Sequence, residues 1–213
     1  IQKAILNIGY LDFLNSNFTQ HSSYKIFCAM ILAYFYLRGL FVKFMEKIRI
    51  KIGNVEIGNG APVSIQSMTN TKTDDTKATL KQIETLAKEG CEIIRLAVLN
   101  KTCANALKEI TKYSPIPTVA DIHFDYRLAL MAMDNGINAL RINPGNIGSF
   151  EHTKKVVQMA KETKTPIRIG VNAGSLEKDL YENNSIPLEE KMVISAKRHV
   201  KILEDLDFHL TKI

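Results

Sequence analysis

Three arginines stand inside short apolar runs: Arg95 in Glu92-Ile-Ile-Arg-Leu-Ala-Val98, Arg141 in Ala139-Leu-Arg-Ile-Asn143, and Arg168 in Pro166-Ile-Arg-Ile-Gly170. A guanidinium keeps its charge at any physiological pH, so each one that is buried demands an anion. Three that converge form a receptor for a multiply charged oxyanion such as a diphosphate, held by forked, charge-assisted hydrogen bonds. A single arginine in a strand is more often paired with a carboxylate of its own chain. Here the runs hold few acidic residues, Asp121 is the nearest partner, and one carboxylate cannot neutralise three guanidinia.

Other polar residues fall at matching places. Gln66-Ser-Met-Thr-Asn70, Asp121-Ile-His123, Asn143-Pro-Gly-Asn146 and Asn172-Ala-Gly-Ser175 each follow or end an apolar run. His123 reads either as a hydrogen-bonded structural histidine or as a charged diphosphate ligand or proton donor, and Asp121, two residues earlier, either orients it or serves with it in the barrel interior. The two Asn/Gly segments read either as turns that reverse the chain or as an amide-lined phosphate cradle. No Walker loop, H-E-x-x-H, G-x-S-x-G or glycosidase-type carboxylate pair is present.

The elements that must position these residues alternate regularly. Arg49-Ile-Lys-Ile-Gly53 and Val55-Glu-Ile57 predict a hairpin. Pro62-Val-Ser-Ile-Gln66 predicts a first core strand, and 75–89 a helix stopped by Gly90. Strands at 92–98, 117–122, 138–142 and 166–171 then alternate with helices near 102–112, 126–135, 150–163 and 189–205. In two of these units arginine stands five residues after a helix-ending glycine, Gly90 to Arg95 and Gly136 to Arg141. Strict β-α alternation implies a parallel sheet, and side-chain alternation aims all three arginines at one face. No G-x-G-x-x-G follows the first strand, and the polar residues spread over successive strand ends. Both features favour an α/β fold of the (β/α)8 TIM type over a doubly wound sheet. About five βα units are counted, so the barrel is expected to be incomplete.

Composition narrows the function classes. The chain has 213 residues, 46% of them hydrophobic, enough for one sizeable core. Of its 28 basic and 22 acidic residues, six basic and two acidic lie in the first 50, leaving 22 and 20 beyond. Most of the net charge of +6 thus lies in the first 50 residues, the rest is nearly balanced, and a nucleic-acid surface is not expected. Cys28, Cys91 and Cys103 form no C-x-x-C and fit small apolar thiols in a reducing, cytoplasmic setting. Residues 1–44 differ in character and carry an uncharged run at 26–37, short of the ~20 residues that span a bilayer. They are read as an atypical leader foreign to the functional domain, with a targeting or membrane segment and a packed helix as the other readings. The ordered body is placed at 45–213.

Four segments carry a resemblance: Gln66-Ser-Met-Thr-Asn-Thr71, Val119-Ala-Asp-Ile-His-Phe-Asp-Tyr-Arg127, Leu140-Arg-Ile-Asn-Pro-Gly-Asn-Ile-Gly148 and Pro166-Ile-Arg-Ile-Gly-Val-Asn-Ala-Gly-Ser-Leu-Glu-Lys-Asp-Leu180. From about Ile48 to Phe208 the chain resembles the 4-hydroxy-3-methylbut-2-en-1-yl diphosphate synthase family, in its N-terminal TIM-barrel part. The resemblance implies an oxidoreductase of non-mevalonate isoprenoid biosynthesis. Its barrel holds 2-C-methyl-D-erythritol 2,4-cyclodiphosphate, and two electrons from ferredoxin or flavodoxin open the ring. A separate C-terminal domain carries a 4Fe-4S cluster on three cysteines and a glutamate, and the enzyme is a homodimer. By motif position Arg95, His123, Arg141, Arg168 and Asn172 carry the diphosphate, with Asn143 close by. Cys28, Cys91 and Cys103 match none of the cluster ligands, so no metal ligand is expected in this chain. The expectation is therefore a barrel portion that is inactive alone. The alternative is a truncated, non-catalytic barrel that binds anions weakly or does not fold alone.

Overall fold

The computed structural model describes residues 49–143 and 147–213. The chain divides after Glu46 into two units, and every described residue belongs to the second. Residues 1–44, read above as a leader, with Cys28 and the 26–37 run, lie outside the described residues.

Strands β1 (Ile50–Ile52) and β2 (Val55–Ile57) pair antiparallel as the expected hairpin. Six parallel strands follow: β3 (Gln66–Met68), β4 (Ile93–Ala97), β5 (Thr118–Asp121), β6 (Ala139–Ile142), β7 (Ile167–Ile169) and β8 (Thr211–Lys212). Between them run α1 (Thr76–Lys88), α2 (Lys101–Tyr113), α3 (Tyr126–Asp134), α4 (Phe150–Thr163), the short α5 (Lys178–Glu182) and α6 (Leu188–Asp205). The strands lie in the sheet in the order of the chain, β3 to β8, without reversal. An unreversed order is the winding of a (β/α)8 barrel, whereas a doubly wound sheet turns back at a switch point. Among the described residues β3 and β8 do not pair, so the sheet is open.

Local chemistry sets the boundaries. Asp75, Asn100 and Asp125 cap α1, α2 and α3 by accepting backbone N–H groups of Ala78, Cys103 and Arg127. Gly90 and Gly136 follow α1 and α3 with φ of +92° and +80°, the left-handed stop that a residue with a Cβ resists. These are the two glycines five residues ahead of Arg95 and Arg141, so the repeat in the sequence is a repeat of helix stop, strand and inward arginine.

Two expectations need correction. The first core strand is Gln66–Met68, not 62–66. Pro62 has no N–H to give a ladder, and Val63 and Ile65 are 95% and 59% exposed, so their alternation is not core patterning. A sixth core strand, β8, was not expected; two residues are too short for a periodic signal. The short α5 was likewise missed, whereas the 3-10 turn at Ala173–Ser175 lies in a segment read as a turn or a phosphate cradle.

Alternation along each strand separates two packing regions. The outer face of β4 to β7 buries Ile94, Leu96, Ala120, Ile122, Leu140, Ile142, Ile167 and Ile169 against helix residues such as Leu107, Ile110, Ala132 and Val156. Each such isoleucine, leucine or valine contributes about 1.5–3 kcal/mol relative to exposure. Cys91 and Cys103 belong to this core as buried free thiols. On the inner face a smaller cluster of Ile93, Val119 and Ala139 is sealed by Ile52, with Val55 and Ile57 packed against it. The hairpin thus closes the end of the sheet where the strands begin.

A polar defect lies under α6. His199 and Ser195 are buried, and neither His199 nitrogen nor the Ser195 hydroxyl has a hydrogen-bond partner. Glu177 Oε1 stands 3.4 Å from His199 Nε2, without hydrogen-bond geometry. Burial, which outweighs the attraction of Glu177, lowers the His199 pKa from its ordinary 6.5. A histidine held neutral by the fold stabilises it fully above the unfolded pKa and less as pH falls through the folded one. Thermal unfolding between pH 7.5 and 5 should show a decline in Tm that His199→Gln flattens. Asp125, Asp179 and Asp207, held below 3.8, titrate outside that window. An identical slope in the variant would show that His199 is not its source.

Candidate functional site

The inner face changes character two residues beyond the apolar seal. Ile93 is followed by Arg95, Val119 by Asp121 and Ala139 by Arg141, each on the same face because strand side chains repeat every second residue. Parallel register sets Asp121 opposite Arg141, Arg141 opposite Arg168, and Arg168 opposite Lys212. Charged side chains of four adjacent strands therefore meet inside the sheet's curve.

Asp121 is the hub. Its carboxylate, 5% exposed, meets Arg141 Nη1 at 3.1 Å and His123 Nε2 at 3.3 Å through Oδ1, and Arg95 Nε at 3.5 Å through Oδ2. Arg95 also donates to the Met68 sulfur, a weak acceptor, at 3.2–3.3 Å. Arg168 donates from Nη1 to a neutral acceptor, Gln66 Oε1, at 3.3 Å. Burial lowers the Arg168 pKa, with repulsion from Arg95 and Arg141 adding to it and Asp121 opposing. Burial, and then Arg168, lower the pKa of Lys212 in the same way. Arg95, Arg141 and His123 thus share one buried carboxylate, with Arg168 and Lys212 on the next two strands.

An open cleft of about 420 Å³ has Arg95, Arg141 and Arg168 in its wall, with Gly170 and Val171 of the β7 exit. Met192, Val193 and Ala196 of α6 supply an apolar side, and the exposed Glu189 stands on that helix. The three sequence-expected arginines are therefore brought to one cleft. His123, 45% exposed, stands beside Asp121, edge-on to the ring of Phe124. Asn143 is buried at the exit of β6, on the face of Arg141, and Asn172 is exposed just past Val171. Of Asn143-Pro-Gly-Asn146, residues 144–146 lie outside the described residues. Arg168 also reaches the hairpin end, where it lines a small space with Ile50, Ile52 and Lys212. It sits deeper than a rim residue, and it couples the seal to the cleft.

Sequence reasoning missed Lys212 and Met68. Lys212 lies on the unrecognised sixth strand, whose two residues carry no periodic signal. Nothing in the sequence marks Met68 as a guanidinium contact. Among the described residues no group of three or more His, Cys, Asp or Glu is placed to hold a metal ion. Cys91 Sγ faces the Ile93 carbonyl at 3.1 Å and Cys103 is buried on α2, so these thiols do not fit an iron–sulfur cluster. Among the described residues no helix is long and apolar enough to cross a membrane.

Similar proteins fit this geometry. The model of the GcpE TIM-barrel domain matches residues 47–213. A 4-hydroxy-3-methylbut-2-en-1-yl diphosphate synthase (flavodoxin) of Thermodesulfovibrio yellowstonii is 54% identical over 172 residues, 81% of this chain and 49% of that protein. Proteins of the same name from Clostridium perfringens and Lawsonia intracellularis are 55% and 56% identical over 77% and 78% of this chain, and 47% and 46% of their own lengths. The chain spans about half the length of these curated relatives. Among solved structures, phospho-2-dehydro-3-deoxyheptonate aldolase of Thermotoga maritima superposes with a TM-score of 0.55 at 13% identity, over 78% of this chain and 45% of that one. A truncated 3-deoxy-D-arabino-heptulosonate 7-phosphate synthase of the same organism gives 0.51 at 16% identity, over 78% and 55%. At such identities the likeness is one of fold. An unreversed parallel sheet, a cation-lined cleft and a family match over the whole described region lead to one assignment: the chain belongs to the GcpE TIM-barrel domain family.

Proposed function

We propose that the cleft binds a cyclic diphosphate, 2-C-methyl-D-erythritol 2,4-cyclodiphosphate, and that residues 45–213 are the substrate-holding barrel of a 4-hydroxy-3-methylbut-2-en-1-yl diphosphate synthase. The observation that carries this is the excess of partly buried cations over carboxylates around Asp121. An excess of this kind costs stability until an anion fills it, and a diphosphate offers several oxygens to forked donors. Arg95, Arg141 and Arg168 hold the two phosphates. Asn143 and Asn172 stand on the same strand exits, with His123 at the side of Asp121, and the apolar side of α6 accommodates the carbon skeleton.

The relatives carry flavodoxin in their names, and flavodoxin or ferredoxin is the proposed electron donor. A 4Fe-4S cluster would supply the electrons for reductive ring opening, a homodimer would bring cluster and barrel together, and the setting is cytoplasmic. The described thiols do not fit that cluster, so the role of these residues is to bind and orient the diphosphate. Residues 1–44 are taken to lie outside the functional domain.

Two outcomes test the binding role. Inorganic diphosphate, titrated calorimetrically in phosphate-free buffer, should bind, and Arg141→Ala should weaken it by about 2 kcal/mol, roughly 30-fold. Unchanged affinity would remove Arg141 from the site. Asp121→Asn keeps the shape and deletes the shared charge, so the anion-free protein should lose about 3 kcal/mol of stability. Because the surplus of positive charge then grows, diphosphate should raise the Tm of Asp121→Asn by more than it raises that of the parent chain. A smaller rise would mean that Asp121 orders the arginines more than it balances them.

A further inference from the structure

The cleft contains one residue whose only distinction is the lack of a side chain. A Cβ built on Gly170 would fall among Nε, Cζ and Nη2 of Arg141, well inside contact distance. No backbone reason accounts for a glycine here. Gly170 is absent from the residues with positive φ, and its N–H makes an ordinary ladder bond to the Ile142 carbonyl at 2.9 Å. An alanine would satisfy that backbone with less conformational entropy to lose on folding. Glycine inside a strand pattern marks a bulge or a close approach, and the approaching group here is a guanidinium.

From this we infer that Gly170 is a positioning residue: the space left by its missing side chain is where the Arg141 guanidinium lies, and any side chain at 170 displaces that guanidinium. The inference rests on the reading of Arg141 as an anion ligand, and it adds how the fold sets that ligand in place. Arg141 is bounded on one side by Asp121 of β5, through Nη1 at 3.1 Å, and on the other by Gly170 beyond β7. The carboxylate fixes where the guanidinium is drawn, and the bare Cα fixes how far it can swing toward β7. The atoms that a Cβ would meet are the far end of a flexible side chain, not backbone. The fold can therefore accept alanine by moving Arg141, so the cost should fall on the site. The glycine at 53 differs, since a Cβ there would meet the Pro117 ring that the hairpin packs against.

Direct obstruction of the ligand is the rival explanation, because Gly170 itself lines the cleft. A double-mutant cycle separates the two. Gly170→Ala should fold with a Tm close to that of the parent and bind inorganic diphosphate about tenfold or more weakly. In an Arg141→Ala background, adding Gly170→Ala should change the affinity by less than about twofold, since there is no guanidinium to displace. A further tenfold loss in that background would overturn the inference in favour of obstruction.

A second readout needs no anion. In 15N-labelled protein the Arg141 Nε–H resonance, assigned by its loss in Arg141→Ala, should shift in Gly170→Ala, while those of Arg127 and Arg198, paired with Asp125 and Asp179, stay put. An unmoved Arg141 resonance would overturn the inference. If the parent chain takes up no diphosphate, the proposed function fails and this resonance alone decides the role of Gly170. Failure of the Gly170→Ala, Arg141→Ala chain to fold would also overturn it, because the space is then vacant and the glycine would be serving packing.

Discussion

Asp121 is nearly buried, and its two oxygens meet two guanidinia and an imidazole at 3.1–3.5 Å. Two unit charges about 4 Å apart interact by about 4 kcal/mol at the effective dielectric of a protein surface site. Without that carboxylate, Arg95 and Arg141 would face each other and Arg168 with nothing between them but repulsion. With it, the cluster holds its shape and still carries more positive than negative charge. Burial lowers the pKa values of Arg168 and Lys212, and repulsion from the neighbouring guanidinia adds to it. The site is ordered by one negative charge and left short of others, which is the condition a diphosphate receptor requires.

This electrostatic arrangement depends on the geometry of parallel strands. Strand side chains repeat every second residue, so the apolar layer of Ile93, Val119 and Ala139 fixes the inward direction of Arg95, Asp121 and Arg141. The β1–β2 hairpin seals that layer, and the outer face anchors the strands with fully buried isoleucines and leucines. A one-residue slip of β4, β6 or β7 would expose an isoleucine to the cleft and drive a charge into the helix layer. Register, core and site are therefore one constraint. The glycine stops at 90 and 136 set the phase by starting each strand at the same offset from its arginine.

The sequence showed most of this where periodicity and chemistry coincide. Arg95, Arg141 and Arg168 were visible because a charge inside an apolar run is conspicuous, and the β-α alternation put them on one face. Asp121 was visible as the nearest carboxylate, but its three-way sharing depends on register, which no local pattern encodes. Strand β3 was misplaced because Val63 and Ile65 are exposed in spite of their type, and β8 was missed because two residues carry no period. Lys212 was hidden with it. The space at Gly170 was illegible for a different reason: a glycine at a strand exit reads as a turn, and only the side chain of Arg141, from another strand, gives it a meaning. The family resemblance, carried by the strand-end motifs, agrees with the match over 47–213.

The central claim is that Arg95, Arg141 and Arg168 act together on one anion, and it is tested most directly by a crystal structure of the chain grown with inorganic diphosphate. The account predicts a diphosphate in the cleft with oxygens within hydrogen-bond distance of at least two of the three guanidinia, and the Arg141–Asp121 contact retained. A diphosphate bound elsewhere, or a cleft left without an anion at saturating concentration while Asp121 keeps its three partners, would contradict it.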